Sequence, residues 1–181
     1  EVTSSTLPTI LWMLSFSVAK ISCKSLVISS TFFMVLFILS KLADKFFDNY
    51  AYIKASELYE DAIKNGDDSV HVLTRLGDCY YLLRDDKNAI QYYNSAITNG
   101  SGDMSYAYYQ KARSQGALGD NEGKAQSLRD LAAKYPNSNY NITSLLDLAS
   151  TYMILNENSK AITTYKEFIQ KYPQNANVAK A

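Results

Sequence analysis

A 34-residue interval constrains this chain more than any other feature. Ala55, Tyr59 and Ala62 return as Ala89, Tyr93 and Ala96, and Asn65-Gly66 returns as Asn99-Gly100 at the same spacing. Ahead of the second copy stands Leu73-x2-Leu76-Gly77-x2-Tyr80. A later copy reads Leu145-x2-Leu148-Ala149-x2-Tyr152, then Ala161, Tyr165, Phe168 and Pro173. Between them lies a degenerate copy with Ala112, Leu128, Leu131 and Pro136. There Lys111, Gln115 and Lys124 replace expected apolar or small residues. The steps from Gly77 to Ala112 to Ala149 are 35 and 37, and the extra residues are expected in the loops after the second helices. Self-similarity at such a period means stacked units, none of which buries its apolar face alone.

The residue types give each unit its form. A Gly or Ala at 77, 112 and 149 removes the side chain where two paired helices approach closely, and Ala55, Ala89 and Ala161 do so on the second helix. Tyr59, Tyr93 and Tyr165 are expected to fill the gap towards the next unit, as broad rings with a polar tip. Asn-Gly predicts a left-handed helix end, and Tyr-Pro a helix stop. The spacing predicts helices over 36–49 and 52–65, 69–84 and 86–98, 103–118 and 121–134, and 139–155 and 158–172. Leu39-x2-Leu42-Ala43-x2-Phe46 fits the first of these, and residues 175–181 read as the start of a further helix. A solenoid ending there lacks a polar cap, which predicts continuation past Ala181.

Over residues 36–173 the pattern resembles the tetratricopeptide-repeat (TPR) family. The resemblance implies an all-α fold: a right-handed superhelix of antiparallel helix pairs, here about four, with an apolar N-terminal helix. Two domains follow, an apolar segment over 1–40 and the solenoid over 41–181.

The first forty residues are different material. They contain only three charged side chains, Glu1, Lys20 and Lys24, and none of the fifteen tyrosines. Ser25 to Ser40 is sixteen residues without a charge, with Lys24 before it and Lys41 after it. That run lies between the ~7–15 residues of a signal-peptide core and the ~20 of a membrane span. An export signal, an uncleaved membrane anchor, a helix packed on the repeats and an artefact of the chain start all remain open. No small-x-small cleavage site stands out.

Over the whole chain 18 basic residues balance 18 acidic ones, which argues against a nucleic-acid footprint. Cys23 and Cys79 make neither a disulfide framework nor a metal site, and Cys79 reads as a small buried hydrophobe. His71 is the single histidine and sits at a helix start. Asp67-Asp68 and Asp85-Asp86 precede helices, where they read as caps. With no nucleophile, base and orienting group in register, neither enzyme activity nor a cofactor, metal or small-molecule substrate is expected.

The resemblance places the binding surface on a concave groove lined by the first helix of each pair. Helical spacing assigns to it His71, Thr74, Asp78 and Tyr81, then Tyr106, Tyr109 and Arg113, then Thr143, Leu146, Ser150 and Met153. Family members that clamp a peptide carboxylate use several Lys, Arg and Asn side chains there, whereas this groove offers Arg113 and many tyrosines. The expected partner is a protein, presented as an extended peptide or a helix. Tyr106 and Tyr109 could equally pack between helices.

The stretches ADKFFDNYAYIKASELYEDAI and YPNSNY to YPQNANVAKA are similar to TPR proteins of bacterial cell envelopes, of the Tol-Pal-associated or OmpA-linked type. That likeness implies a periplasmic or membrane-associated scaffold, with a membrane contact through residues 1–40. The alternatives are a cytoplasmic location and a structural module supporting a C-terminal wall-binding or enzymatic domain.

Overall fold

The computed structural model describes residues 37–180, so all but the last four residues of the apolar segment over 1–40 lie outside the described residues. The described elements are α1 (37–48), α2 (Tyr52–Lys64), α3 (Val70–Leu82), α4 (Asp86–Asn99), α5 (Ser105–Ala117), α6 (Asn121–Lys134), α7 (Asn141–Ile154) and α8 (Asn158–Lys171). A 3-10 turn at Val178–Lys180 follows, in place of the helix start expected over 175–181. Each helix lies within a few residues of its expected span.

From α3 onward every helix packs on the one before it, α3 also touches α5, and Ala43 of α1 is buried in one core cluster with Ala55, Tyr59 and Ala62 of α2. The second helices make no comparable contact with one another. The contact between α3 and α5 places these first helices on one side of an α-solenoid, and α2, α4, α6 and α8 form the other layer. A continuous core runs between the layers. Ala43, Ala55, Tyr59, Val72, Leu76 and Cys79 form its first section, and Ala112, Ala125, Leu128, Leu148, Tyr152 and Ala161 its last.

The small residues do what the spacing requires. Ala43, Ala112 and Ala149 are fully buried. A Cβ added to Gly77 would lie 2.7 Å from the Tyr93 ring. Cys79 is fully buried, and desolvation pushes its thiol up to about 12, so it acts as the expected hydrophobe.

One turn is built four times. After each first helix a residue adopts a left-handed conformation: Tyr50, Arg84, Gly119 and Asn156, with φ of 61°, 66°, 78° and 59°. The next amide then bonds back across the helix end: Ala51 to Phe46, Asp85 to Tyr80, Asp120 to Gln115 and Glu157 to Tyr152, at 2.8–2.9 Å. This is a Schellman closure, which satisfies carbonyls that the helix leaves free. From each small residue to the residue that starts the second helix the spacing is constant. The extra residues of the longer repeats all come later, as expected.

Three local expectations are corrected. Gly66 is left-handed at φ 94°, but Gly100 is extended at φ −77°, so only the first Asn-Gly makes the expected helix end. At α3 the cap is Ser69, which accepts the Val72 amide, while Asp67 accepts the Ser69 amide. At α4 Asp85 is the cap and Asp86 is buried in the first turn.

Candidate protein-binding groove

The layer of first helices is ordered by a node that recurs with the repeat. Asp44 on α1 accepts the Tyr59 hydroxyl at 2.6 Å and lies 2.8 Å from His71 Nε2. Asp78 on α3 accepts the Tyr93 hydroxyl at 2.8 Å and the Tyr106 hydroxyl at 2.9 Å, both on one oxygen. Each carboxylate thus joins its own second helix to the next first helix. Tyr59 and Tyr93 are fully buried. Their phenol protons are held well above the usual pKa range, first by burial and then by the carboxylates.

The two carboxylates differ in charge environment. Burial alone would raise Asp44, but hydrogen bonds from Tyr59, His71 and Lys41 outweigh it and hold it below the usual range. Asp78 is only 5% exposed, and that burial holds it above the usual range despite its two phenol donors.

The residues assigned to the groove fall into three groups. His71, Thr74, Asp78 and Tyr106 line one cleft of about 410 Å³ between α3 and α5, together with Arg75 and Asp103. In this cleft His71 is exposed and Asp78 is buried. Tyr81, Tyr109 and Arg113 form a second group. The exposed Arg113 guanidinium lies 4.9 Å from the Tyr81 ring centroid, and its Nη1 donates to Gln110 Oε1 at 3.0 Å. Gln110 in turn donates to the Tyr106 hydroxyl at 2.9 Å, which links the two groups.

The third group is separate. Ser150 and the exposed Met153 meet Tyr165 within the last pair, at 3.3 Å and 3.8 Å, with half-buried Leu146 and exposed Thr143 earlier on α7.

Tyr140 joins the second group to α7. It stacks on Tyr109 at 5.4 Å between centroids and tilts against Tyr106 at 5.6 Å. The Tyr109 hydroxyl reaches Asp147 at 3.4 Å. Tyr106 and Tyr109 are thus half-buried and pack between helices, and Tyr106 also lines the cleft.

Spacing alone missed Asp44, Arg75, Asp103, Gln110, Tyr140 and Asp147. Asp44 was within reach, because the step from Asp44 to Asp78 equals the step from Tyr59 to Tyr93. Tyr140 and Asp103 lie in loops or at a helix start, where no helical period applies.

Among the described residues no group of His, Cys, Asp or Glu could hold a metal ion, and no helix is long and apolar enough to cross a membrane.

Two family profiles match successive parts of the chain, and residues 1–40 lie in neither. Residues 41–103 match a tetratricopeptide repeat, and residues 102–181 match an outer membrane lipoprotein. The boundary falls in the loop between α4 and α5. No curated protein matches the sequence significantly.

Solved structures share the fold. The crystal structure of MamA aligns with a TM-score of 0.68 at 19% identity, over 77% of this chain and 74% of that one. YrrB, described as a TPR protein with an unusual peptide-binding site, aligns at 0.64 and 17%, over 76% and 69%. The first TPR of Spaghetti (RPAP3), bound to the HSP90 peptide SRMEEVD, aligns at 0.58 and 18%, over 68% and 94%. The chain therefore has the architecture of a TPR solenoid.

Proposed function

We propose that this chain is a protein-interaction scaffold of the bacterial cell envelope, and that it holds an extended segment or a helix of a partner protein in its inner groove. The observation that carries the reading is the tyrosine floor across the middle of that groove. Tyr106, Tyr109 and Tyr140 present rigid, amphipathic faces, with Arg113 poised over Tyr81 at the rim. Tyrosine and arginine are enriched among the residues that anchor protein interfaces, tyrosine because it buries a large area with few rotors and arginine because its planar fork stacks on rings and donates several hydrogen bonds. The envelope part rests on the outer membrane lipoprotein match over 102–181 and on the uncharged run from Ser25 to Ser40. Peptide binding by YrrB and by the Spaghetti TPR is consistent with a groove used in this way.

The test places a photo-crosslinking residue at Tyr109, on the groove, or at Gln126, exposed on α6, with the chain expressed in a Gram-negative host. A discrete adduct is expected from position 109 and none from position 126. The captured partner, once purified, should bind the Tyr109→Ala/Arg113→Glu double variant at least about tenfold more weakly, a loss of about 1.4 kcal/mol. Circular dichroism should show unchanged helicity. Undiminished affinity in that folded variant would move the binding site elsewhere.

A further inference from the structure

The Asp44 and Asp78 nodes repeat in geometry but not in charge. Asp44 has two cationic or potentially cationic neighbours, Lys41 Nζ at 3.2 Å and His71 Nε2 at 2.8 Å. At Asp78 the position of His71 is taken by Tyr106, a neutral donor. The position of Lys41 is taken by Arg75, one repeat further along the chain. Arg75 forms no ion pair with Asp78, and its charge offsets the burial of that carboxylate only in part. Its guanidinium lies 4.5 Å from the Phe47 ring centroid, on the α1 side. Among the described residues no Lys, Arg or His nitrogen forms an ion pair with the Asp78 carboxylate. Yet Asp78 is the more deeply buried of the two. Buried carboxylates are costly unless paired, and hydrogen bonds from neutral groups compensate only part of the charge.

The cleft opens over this carboxylate. Asp78, Thr74, Tyr106 and Asp103 all line it. Asp103 is exposed at the rim, and its Oδ1 accepts the Ser105 amide at 2.8 Å. Against these two carboxylates stand Arg75, held on Phe47, and His71, held by Asp44.

We propose that this cleft is a specificity pocket for one lysine or arginine side chain of the bound partner, whose cation completes the Asp78 node. The proposal rests on the reading of the first-helix layer as the partner-binding groove and names the chemistry of one position within it. A basic side chain entering between α3 and α5 would meet Asp78 at the floor, Asp103 at the rim and the Tyr106 ring as a wall. That set of contacts suits a cation with an aliphatic stem.

The test needs no identified partner. The full chain is titrated with N-acetyl-arginine methylamide, N-acetyl-lysine methylamide and N-acetyl-glutamate methylamide, followed by ¹H–¹⁵N NMR. Saturable shifts confined to residues 70–78 and 103–107 are expected with the two cations and not with the glutamate derivative. Asp78→Asn keeps an acceptor for Tyr93 and Tyr106 and should weaken the response at least tenfold. Asp103→Asn should weaken it by a smaller factor, and Arg75→Met should strengthen it.

Binding of the glutamate derivative in the cleft, or a response unchanged in a folded Asp78→Asn, would overturn the proposal. So would a response seen only in Arg75→Met, because Arg75 would then be the resident cation. Loss of the Tyr109 crosslink alongside an intact cation response would count against the scaffold reading while leaving this pocket standing.

Discussion

The second and third helix pairs have the same backbone and opposite cores. In α3–α4, Leu76 and Cys79 are fully buried, and Tyr80 stacks on Tyr92 at 5.4 Å with an interplanar angle of 4°. In α5–α6, with Ala112 in register with Gly77, Lys111 and Ser114 stand in those two places. Gln115 and Ser127 replace the tyrosine pair and hydrogen-bond to each other at 2.6 Å. Ser114 is fully buried, and its hydroxyl has no partner. Burial holds the Lys111 ammonium below its usual range, with Asp130 and Asp120 pulling the other way. Where Gly77 faces the Tyr93 ring, the third core joins Ala112 with Leu128. The third pair keeps its place through exchanges that conserve volume or hydrogen bonding, and its neighbours hold it on both sides. That is the behaviour of a quasi-one-dimensional stack, in which a weak unit survives on its interfaces.

Reciprocal exchange at one position should give the largest effect. Leu76→Lys places an ammonium in the fully buried site and is expected to cost about 4 kcal/mol or more, through lost burial plus an unpaired charge. Lys111→Leu supplies the missing apolar group and is expected to stabilise by about 1 kcal/mol. Urea midpoints of the two variants measure the asymmetry. A Lys111→Leu midpoint below that of the parent would mean that the third core is tuned to its polar set.

The Gly77 contact is the next largest. Gly77→Ala forces a Cβ to 2.7 Å from a ring that is itself buried and tied to Asp78, so overpacking should cost about 1–3 kcal/mol. Adding Tyr93→Leu imitates Ala112 with Leu128. The double variant should then lose at least about 0.5 kcal/mol less than the sum of the single variants. Strict additivity would show that the two cores are not related by this exchange of sizes.

The stack was legible because small residues and aromatics recurring at this one interval have few other physical meanings. Helix spans followed from the same period. The groove was legible only as a face. Helical spacing placed Tyr81, Tyr106, Tyr109 and Arg113 on the layer of first helices. It did not foresee that Asp78 would be buried under two phenols, or that Arg75 would turn away to Phe47. Those outcomes depend on which of two neighbours a flexible side chain chooses, and a one-dimensional pattern holds no such information. The left-handed turn after each first helix escaped for a related reason. Only Gly119 and, more weakly, Asn156 carry residue types that favour such a conformation, and Tyr50 and Arg84 disguise the other two copies.

That turn reverses the ranking of the two pairs, and it gives the smallest and cleanest test. Arg84 has φ 66° and Gly119 has φ 78°, with the same closing hydrogen bonds at both. A side chain in this region costs roughly 1–2 kcal/mol locally, and glycine gives back part of that through the greater freedom of its unfolded chain. Arg84→Gly should therefore stabilise the second pair by roughly 0.5 kcal/mol. Gly119→Ala should destabilise the third by about 1 kcal/mol. A Cβ at Gly119 would meet nothing within 4 Å, so that loss would come from the backbone alone. If both substitutions leave the urea midpoint unchanged, the turn is not a rigid closure, and the weak pair is held by its interfaces rather than by its own geometry. If both shift it as expected, the third pair offsets a poor core with the better turn, and consensus in this solenoid is distributed between units rather than concentrated in one.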